Sequence, residues 1–341
     1  MTTTFVLPED LNATEPPEAR GTGRDDVRLL VASPAGVAHA RFADLADHLR
    51  PGDLLVVNTS ATLAAAVDGT RAGGRAVTVH LSTDLGDGVW LVEVRPPGRA
   101  TGPVGDVAPG ERIALPAGAG LTVTAPFAAG QRRLWRARLE LEGHPHEYLA
   151  RHGRPISYAY VRGRWPLAAY QTVFAREPGS AEMPSAARPF TDALVTRLVT
   201  NGVRLAPVTL HTGVSSQEPG EPPLPERYRV PEPTADLVNH TRARGGRVVA
   251  AGTTVVRALE SAAGADGTVE ARDGWTDLVL GPDRPVRVAG GIVTGWHAPG
   301  ASHLHLLEAV AGADVVRRAY DEALRHGYRW HEFGDSALLL R

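Results

Sequence analysis

The stretch Arg247-Val-Val-Ala-Ala-Gly-Thr-Thr-Val-Val-Arg-Ala-Leu-Glu-Ser-Ala262 joins a short apolar strand to a segment with helical spacing. Gly252 stands at the turn, where the missing Cβ lets the backbone approach a ligand closely. Thr253 and Thr254 can cap the new helix, whose free N–H groups favour a negatively charged or polar ligand. The pattern predicts an α/β unit. A ligand site and a plain structural turn both fit it.

A second strand exit, Val208-Thr-Leu-His211-Thr-Gly213, again places polar residues and a glycine after an apolar run. Asn58 ends a third apolar run, 53–58, which is typical of a buried parallel strand. Open α/β sheets bind ligands at the carboxyl ends of their strands. We therefore expect one cavity where the strands at 208 and 248 end as neighbours. A core or capping role for His211 remains an alternative.

The periodicity of apolar residues predicts an α/β main domain in two parts, residues 1–66 and 151–341, with a mostly parallel sheet. The Pro-rich stretch 215–233 is predicted to be a loop and a candidate lid. The predicted strands are 27–32, 53–58, 203–210, 248–251 and a closing strand and tail within 328–340; the predicted helices are 42–49, 191–202, 235–244, a helix beginning at 253, 304–312 and 315–326.

Residues 67–150 differ in character from the sequence on either side. Short alternating runs are separated there by Gly and Pro clusters, a pattern typical of an antiparallel barrel or sandwich. The runs cover 76–81, 89–94, 112–115, 121–125 and 134–141. The sequence therefore predicts an all-β domain inserted into the α/β domain.

Composition excludes several kinds of chemistry. The 341 residues include no cysteine, which excludes thiolate nucleophiles and thiolate-bound metals, and all 36 basic residues are arginine. The absence of lysine excludes a Walker lysine and a lysine Schiff base. The net charge of −2 gives no global preference for nucleic acid. The arginines clustered within 132–138 and 151–164 fit either a local nucleic-acid patch or solvated side chains.

Membrane and export signals are not evident in the sequence. No apolar run approaches the roughly 20 residues that span a bilayer. The first residues lack the basic and apolar regions of a signal peptide. A cytoplasmic protein without a membrane partner is therefore expected.

Short motifs occur in a characteristic order along most of the chain. The motifs are Phe5-Val-Leu-Pro8, Phe42-Ala-Asp-Leu45, Leu49-Arg-Pro-Gly-Asp-Leu-Leu-Val-Val-Asn58, Tyr170-Gln-Thr-Val-Phe174, Pro178-Gly-Ser180 with Pro184, Val208-Thr-Leu-His211, the Gly252-Thr-Thr run, Val293-Thr294 with His297 and Pro299, and Phe333-Gly-Asp335. By these motifs and their order, the chain resembles the S-adenosylmethionine:tRNA ribosyltransferase-isomerases of queuosine biosynthesis, which implies that the inserted domain is a β-barrel.

The resemblance implies that S-adenosylmethionine is a substrate rather than a methyl donor. Its sulfonium makes the hydrogens of the adjacent ribose carbon acidic, and a base removes one of them. The ribosyl unit rearranges and passes to an aminomethyl-deazaguanine in tRNA as an epoxycyclopentane, with release of adenine and methionine. Such chemistry needs a general base near the sulfonium and a negative group to stabilise the cation.

Residues at or near the matching motifs provide candidates for both tasks. The side chains proposed as base or cation partner are His211, Glu182 and Glu260. Arg188 is a further candidate, since its planar guanidinium suits a carboxylate such as the methionyl tail. No metal is expected, because His303 and His305 would point to different sides of a helix. The residues proposed to bind S-adenosylmethionine are Asn58, Tyr170, Gln171, Thr209, Gly252, Thr253, Thr254, Arg257 and His297.

Several family motifs are altered in this sequence. The family's Asn-Asp-Thr-Arg-Val is here Asn58-Thr-Ser-Ala-Thr62, and the histidine of its Pro-Thr-Ala-Gly-Leu-His-Phe segment is missing from Pro184-Ser-Ala-Ala-Arg-Pro-Phe190. These changes favour an alternative, a divergent enzyme that uses S-adenosylmethionine on a small-molecule acceptor or only cleaves it. A second alternative is an inactive ligand-binding homologue. The sequence leaves the acceptor, tRNA or small molecule, and the oligomeric state open.

Overall fold

The computed structural model describes residues 3–98, 102–128, 130–214, 224–281 and 284–341. The strands are β1 (Arg28–Ser33), β2 (Gly36–Arg41), β3 (Leu54–Asn58), β4 (Ser60–Thr62), β5 (Ala66–Thr70), β6 (Ala76–Gly86), β7 (Val89–Arg95), β8 (Arg112–Ala114), β9 (Gly120–Pro126), β10 (Leu134–Glu140), β11 (Glu177–Ser180), β12 (Arg204–Leu210), β13 (Glu226–Val230), β14 (Val248–Ala251), β15 (Arg272–Thr276), β16 (Gly291–Gly295) and β17 (Ser336–Leu340). The α-helices are α1 (Pro145–His152), α2 (Asp192–Thr200), α3 (Glu232–Ala243), α4 (Thr253–Ser261), α5 (His303–Ala311) and α6 (Ala313–Arg325).

A nine-stranded sheet in the order β15-β13-β12-β3-β14-β16-β17-β1-β2 forms the main domain. Its centre is parallel, because β3 pairs in parallel with both β12 and β14, and β14 with β16. Both edges are antiparallel hairpin-like additions, β13 with β15 and β1 with β2. This arrangement confirms the predicted α/β class, but four of the eight strand pairings are antiparallel, including β16 with β17, so the sheet is mixed rather than mostly parallel.

Both faces of the sheet are covered, which explains why its central strands read as continuous apolar runs. Leu54 and Val56 of β3 belong to the core shared with α3, α4, α5 and α6. Leu55 and Val57 alternate to the other face, where they share a core with α2 and with a 3-10 helix, Phe42–Asp47. The carboxyl ends of the strands are thereby left as the place where a ligand can enter.

Strands β5 to β10 close into a six-stranded antiparallel barrel in the order β10-β7-β6-β5-β8-β9. Its interior is a separate apolar core that includes Val67, Val79, Val92 and Leu121. Closure decides between the two predicted possibilities, barrel and sandwich, in favour of the barrel. The exact limits of the inserted domain, 67 and 150, stay a prediction.

The stretch 215–233 differs from the predicted loop. Residues 215–223 lie outside the described residues, but β13 is a strand and α3 begins as early as Glu232. Alternate residues of β13 are buried, and one of the buried positions is Glu226 rather than an apolar residue. Because this inward position is charged, the alternation of apolar and polar residues that predicts a strand is not evident in the sequence.

Two other predicted elements have different limits. The helix predicted at 42–49 is a 3-10 helix that ends at Asp47. The closing strand predicted within 328–340 begins only at Ser336, because His331 adopts a positive φ of 72° and turns the chain. Strands β2, β4, β5, β11, β15 and β16 and helix α1 were not predicted. In the described part of the chain, no helix has the length and apolar character needed to cross a membrane.

Candidate functional site

A cavity of about 460 Å³ lies at the carboxyl ends of the central strands. Thr212 follows β12, Gly252 follows β14, and Thr294 with His297 comes from the end of β16 and the loop after it. The expectation that β12 and β14 are neighbours is wrong, since β3 lies between them. Both strand ends nevertheless reach the same cavity, because parallel strands end at one edge of the sheet. Its volume is in the range of small-molecule sites.

Two helix N-termini meet at this cavity. Gly252 has a φ of 104°, a backbone conformation that residues with a Cβ rarely adopt, and it leads directly into α4. Thr253 and Thr254, the first residues of α4, line the cavity, as do Ser302 and His303 at the start of α5. The first amides of a helix have no intrahelical acceptor and carry partial positive charge. This part of the cavity therefore favours a negatively charged ligand group.

The cavity wall also carries two tyrosine–glutamate pairs. The Tyr160 hydroxyl donates to a Glu332 carboxylate oxygen at 2.6 Å, and the Tyr158 hydroxyl donates to Glu182. The two tyrosine rings stack with centroids 5.8 Å apart, and Tyr160 also stacks on His331 at 4.2 Å. Burial raises the pKa of both Glu332 and Tyr160. Aromatic faces next to carboxylates make this region suited to a cation.

Three histidines line the same cavity, and all are uncharged at neutral pH. The rings of His297 and His303 are parallel, with centroids 4.4 Å apart, and His297 Nε2 lies 3.1 Å from Thr294 Oγ1. Burial lowers the pKa of His297 well below its usual value, and it lowers the pKa of His303 and His331 to about 4. Neutral imidazoles do not repel a cationic ligand, so they are compatible with one bound beside the carboxylates.

The low pKa of His303 has a consequence for stability. The unfolded chain binds a proton at this histidine near pH 6.5, whereas the folded chain does so only near pH 4. The contribution of His303 to the unfolding free energy is therefore fully present above pH 6.5 and is lost as the pH falls towards 4. Between pH 6.5 and pH 5, the wild type should lose about 1 kcal/mol more unfolding free energy than His303→Asn, after allowance for water in the cavity. Urea denaturation at both pH values measures this difference, and equal losses would contradict it.

The residues that the sequence singled out fall into two groups. Those that line the cavity are Glu182, Tyr170, Gly252, Thr253, Thr254, Arg257 and His297. Those outside the described lining are His211, Glu260, Asn58, Gln171 and Thr209. The structure therefore brings more than half of them together.

Among the residues outside the lining, Glu260 and Asn58 hold the backbone. The Glu260 carboxylate accepts hydrogen bonds from the backbone N–H groups of Val288 at 2.8 Å and Ala289 at 3.3 Å. The Asn58 amide donates to the Leu210 carbonyl oxygen at 2.9 Å and accepts from the Leu210 N–H at 3.0 Å. Each side chain is occupied by these backbone contacts and lies outside the described lining of the cavity.

His211, Gln171 and Thr209 have similar structural contacts. His211 Nδ1 lies 2.7 Å from the Ser60 hydroxyl, and burial lowers the pKa of this histidine. The Gln171 amide bonds the backbone N–H and carbonyl of Thr62 at 2.9 and 2.8 Å. The Thr209 hydroxyl contacts Glu177 at 3.2 Å. These contacts position the walls that surround the cavity.

The two candidate arginines are both engaged with carboxylates of the protein. Arg257 lines the cavity but forms a buried ion pair with Glu226, and it also donates to the Leu278 carbonyl oxygen at 3.2 Å. Arg188 is 1% exposed, outside the described lining, and donates to both Glu18 carboxylate oxygens at 3.0 and 2.9 Å. Both guanidinium groups are therefore already paired, whereas the helix N-termini can take up a negatively charged ligand group.

The cavity also contains residues that the sequence did not indicate. These are Tyr158, Tyr160, His303, His331 and Glu332. The two tyrosines belong to a segment without a regular helix or strand, where periodicity gives no signal. Glu332 directly precedes the Phe333-Gly-Asp335 motif, and that adjacency is the signal that could have identified it.

Comparison with known proteins gives a consistent result. The family described as "Queuosine biosynthesis protein" matches residues 2–339. The chain is 38% identical to the S-adenosylmethionine:tRNA ribosyltransferase-isomerase of Symbiobacterium thermophilum, covering 98% of both chains. It is 39% identical to the protein of the same name from Anaeromyxobacter dehalogenans strain 2CP-C, covering 99% of this chain and 98% of that one.

A solved structure agrees with these sequence relatives. The crystal structure of the S-adenosylmethionine tRNA ribosyltransferase from Thermotoga maritima matches with a TM-score of 0.54 and 28% sequence identity. The match covers 99% of both chains, so it includes the sheet and the barrel alike.

Proposed function

Because the chain belongs to the queuosine biosynthesis family of S-adenosylmethionine:tRNA ribosyltransferase-isomerases, we propose that its cavity performs that reaction. The protein transfers and isomerises the ribosyl unit of S-adenosylmethionine onto a 7-deazaguanine in tRNA. The observation that carries this function is the family match across residues 2–339. The helix N-termini of the cavity favour a negative group, and its carboxylates and aromatic rings favour a cation. These preferences suit the carboxylate and the sulfonium of this substrate. Since the acceptor is tRNA, the protein is expected to act in the cytoplasm.

The charged groups of S-adenosylmethionine fit different parts of the cavity. The methionyl carboxylate binds at the N-termini of α4 and α5, where Thr253, Thr254 and Ser302 line the wall. The sulfonium lies beside the carboxylates of Glu182 and Glu332 and the tyrosine rings that accompany them. Opposite charge at short range in a partly desolvated site stabilises the cation.

Glu332 is the side chain best suited to remove a proton from the ribose carbon next to the sulfonium. Burial raises the pKa of this carboxyl, which makes its ionised form a stronger base than an exposed glutamate. The neutral histidines are weaker bases, since burial lowers the pKa of His303 and His331 to about 4. Glu182 then remains as the ionic partner of the sulfonium. The Tyr160 hydroxyl orients the Glu332 carboxylate through its 2.6 Å hydrogen bond.

The remaining steps follow the course implied for the family. Proton removal beside the sulfonium leaves a carbanion, and the ribosyl unit then rearranges as methionine and adenine leave. The amine of the deazaguanine's aminomethyl group forms the new carbon–nitrogen bond to the rearranged unit and loses a proton, while the departing adenine takes one up. Exclusion of water by the surrounding side chains protects the reactive intermediate from hydrolysis.

Adenine release with and without tRNA tests the proposed function. The protein is incubated with S-adenosylmethionine and with tRNA that carries the aminomethyl-deazaguanine, and adenine is quantified by chromatography. We expect adenine and methionine in equal amounts, only when this tRNA is present. Adenine release without tRNA would instead indicate a cofactor-cleaving enzyme, release that requires a small-molecule acceptor would indicate the divergent enzyme, and binding without turnover would indicate an inactive homologue.

The threonines at the start of α4 provide a second test. Replacing Thr253 and Thr254 together with valine removes two hydroxyl groups from the cavity wall but keeps side-chain shape. The dissociation constant of S-adenosylmethionine should rise about 10-fold, the effect of losing roughly 1.4 kcal/mol of hydrogen bonding. Isothermal titration calorimetry measures it.

A matched control separates the ligand contact from helix capping. Thr254 also lies 3.3 Å from the Asn58 amide, so part of its effect is structural. Replacing Thr268, an exposed threonine that bonds Asp266, with valine should leave the affinity unchanged. An unaltered dissociation constant in the Thr253→Val/Thr254→Val protein would show that these residues only begin the helix.

A further inference from the structure

We propose that this protein binds one divalent transition-metal ion, Zn²⁺, at His39, Glu322 and His326, outside the described lining of the cavity. His39 is on the edge strand β2, Glu322 is in the last turn of α6, and His326 follows that helix directly. This is the one group of three possible metal ligands found among the described residues, with its ligand atoms all within 4.8 Å of one another. Two imidazoles and a carboxylate form a common ligand set for zinc.

The distances between the ligand atoms are close to those that a zinc ion requires. Glu322 Oε2 lies 3.1 Å from His326 Nδ1 and 3.9 Å from His39 Nε2. Ligand atoms about 2.1 Å from a tetrahedral zinc ion lie about 3.4 Å apart, which falls between these two values. Both imidazoles lie near the same carboxylate oxygen, Glu322 Oε2, and their centroids are 4.3 Å apart. Small side-chain rotations are sufficient to close the site, and water can supply the fourth ligand.

The surroundings of His39 strengthen the assignment. Its Nδ1 lies 2.8 Å from the Tyr328 hydroxyl, which leaves Nε2 directed towards Glu322. Proteins usually orient a ligating histidine by a hydrogen bond at the ring nitrogen that does not bind the metal.

One contact must change when the ion binds, and a second can stay. His326 Nδ1 lies 3.0 Å from the Glu322 carbonyl oxygen, so its proton moves to Nε2 when Nδ1 becomes a ligand. Arg325 donates to the other Glu322 oxygen, Oε1, and can keep that contact while Oε2 binds the metal. The bound ion would join the edge strand β2 to α6 and so stabilise the end of the sheet.

Zinc titration of the complete, tag-free protein tests the site. Isothermal titration calorimetry with Zn²⁺ alone should show one ion per chain for the wild type. Each of His39→Ala, His326→Ala and Glu322→Gln should weaken binding at least 10-fold. His240→Ala, which removes an exposed histidine elsewhere, is the matched control and should bind as the wild type does.

A thermal measurement distinguishes this site from adventitious binding. Zn²⁺ should raise the Tm of the wild type and of His240→Ala, but not that of His39→Ala/His326→Ala, because an ion that binds the folded chain at this site stabilises it and the double variant lacks two of the ligands. Circular dichroism without zinc should show that the double variant is folded. The proposal is overturned if the wild type does not bind Zn²⁺, or if the double variant keeps the same affinity and the same Tm increase.

Discussion

Replacing Glu332 with glutamine should lower kcat about 10²–10⁴-fold, the usual contribution of a positioned general base. Glutamine keeps the size of the side chain and can still accept the hydrogen bond that Tyr160 donates, but it cannot take up a proton. The dissociation constant of S-adenosylmethionine should rise only a few-fold, because Glu182 remains to face the sulfonium. Single-turnover adenine release, with saturating tRNA, measures the chemical step directly.

Two further variants make this result specific. Glu270→Gln changes an exposed glutamate and should leave kcat unchanged. Glu182→Gln should instead mainly weaken binding, since it removes the proposed ionic partner and leaves the base in place. If Glu332→Gln retains wild-type kcat, Glu332 is not the base, and a histidine of the cavity becomes the next candidate.

Replacing Arg257 with methionine should destabilise the protein by about 3–5 kcal/mol, because it leaves the buried Glu226 carboxylate without its ionic partner. Burial already raises the pKa of Glu226, and Arg257 opposes that effect. The arginine also donates to the carbonyl oxygens of Leu278 and Thr276 at 3.2 Å each. Equilibrium urea denaturation at pH 7 gives the change in unfolding free energy.

The double variant Arg257→Met/Glu226→Gln tests the reason for this loss. Glutamine removes the unpaired charge and can still accept from the Gly213 N–H, which bonds Glu226 at 3.1 Å. At least half of the lost stability should return, because the main penalty is the uncompensated buried charge. A loss below about 1 kcal/mol in the single variant, or no recovery in the double variant, would contradict the account.

The sequence predicted the main-domain architecture because its central strands are apolar on both faces. Leu54 to Val57 and Val248 to Ala251 are continuous apolar runs, and each is followed by a turn or a cap. The edges were harder, since β13 alternates buried and exposed positions that include the charged Glu226 and Arg227, and β15 is buried only at Thr276. Strand order also could not be predicted, because β3 is distant in sequence from the β12 and β14 that flank it.

Strand ends predicted part of the candidate site. Gly252 and Thr253 follow directly from the strand–turn–helix pattern, and both line the cavity. Tyr160 and Glu332 are 172 positions apart and form a hydrogen bond that only the folded chain reveals. His211 shows the opposite case, since its place at a strand exit indicated a ligand contact, whereas its ring bonds Ser60 and lies outside the described cavity lining, so its role in the reaction stays a prediction.

The position of bound S-adenosylmethionine, determined by crystallography, tests most directly whether the cavity at the ends of β12, β14 and β16 is the substrate site. The account predicts the sulfonium within about 4–6 Å of the Glu182 and Glu332 carboxylates, with the methionyl carboxylate at the first turns of α4 and α5. A nucleoside bound instead beside His211, with this cavity empty, would contradict it.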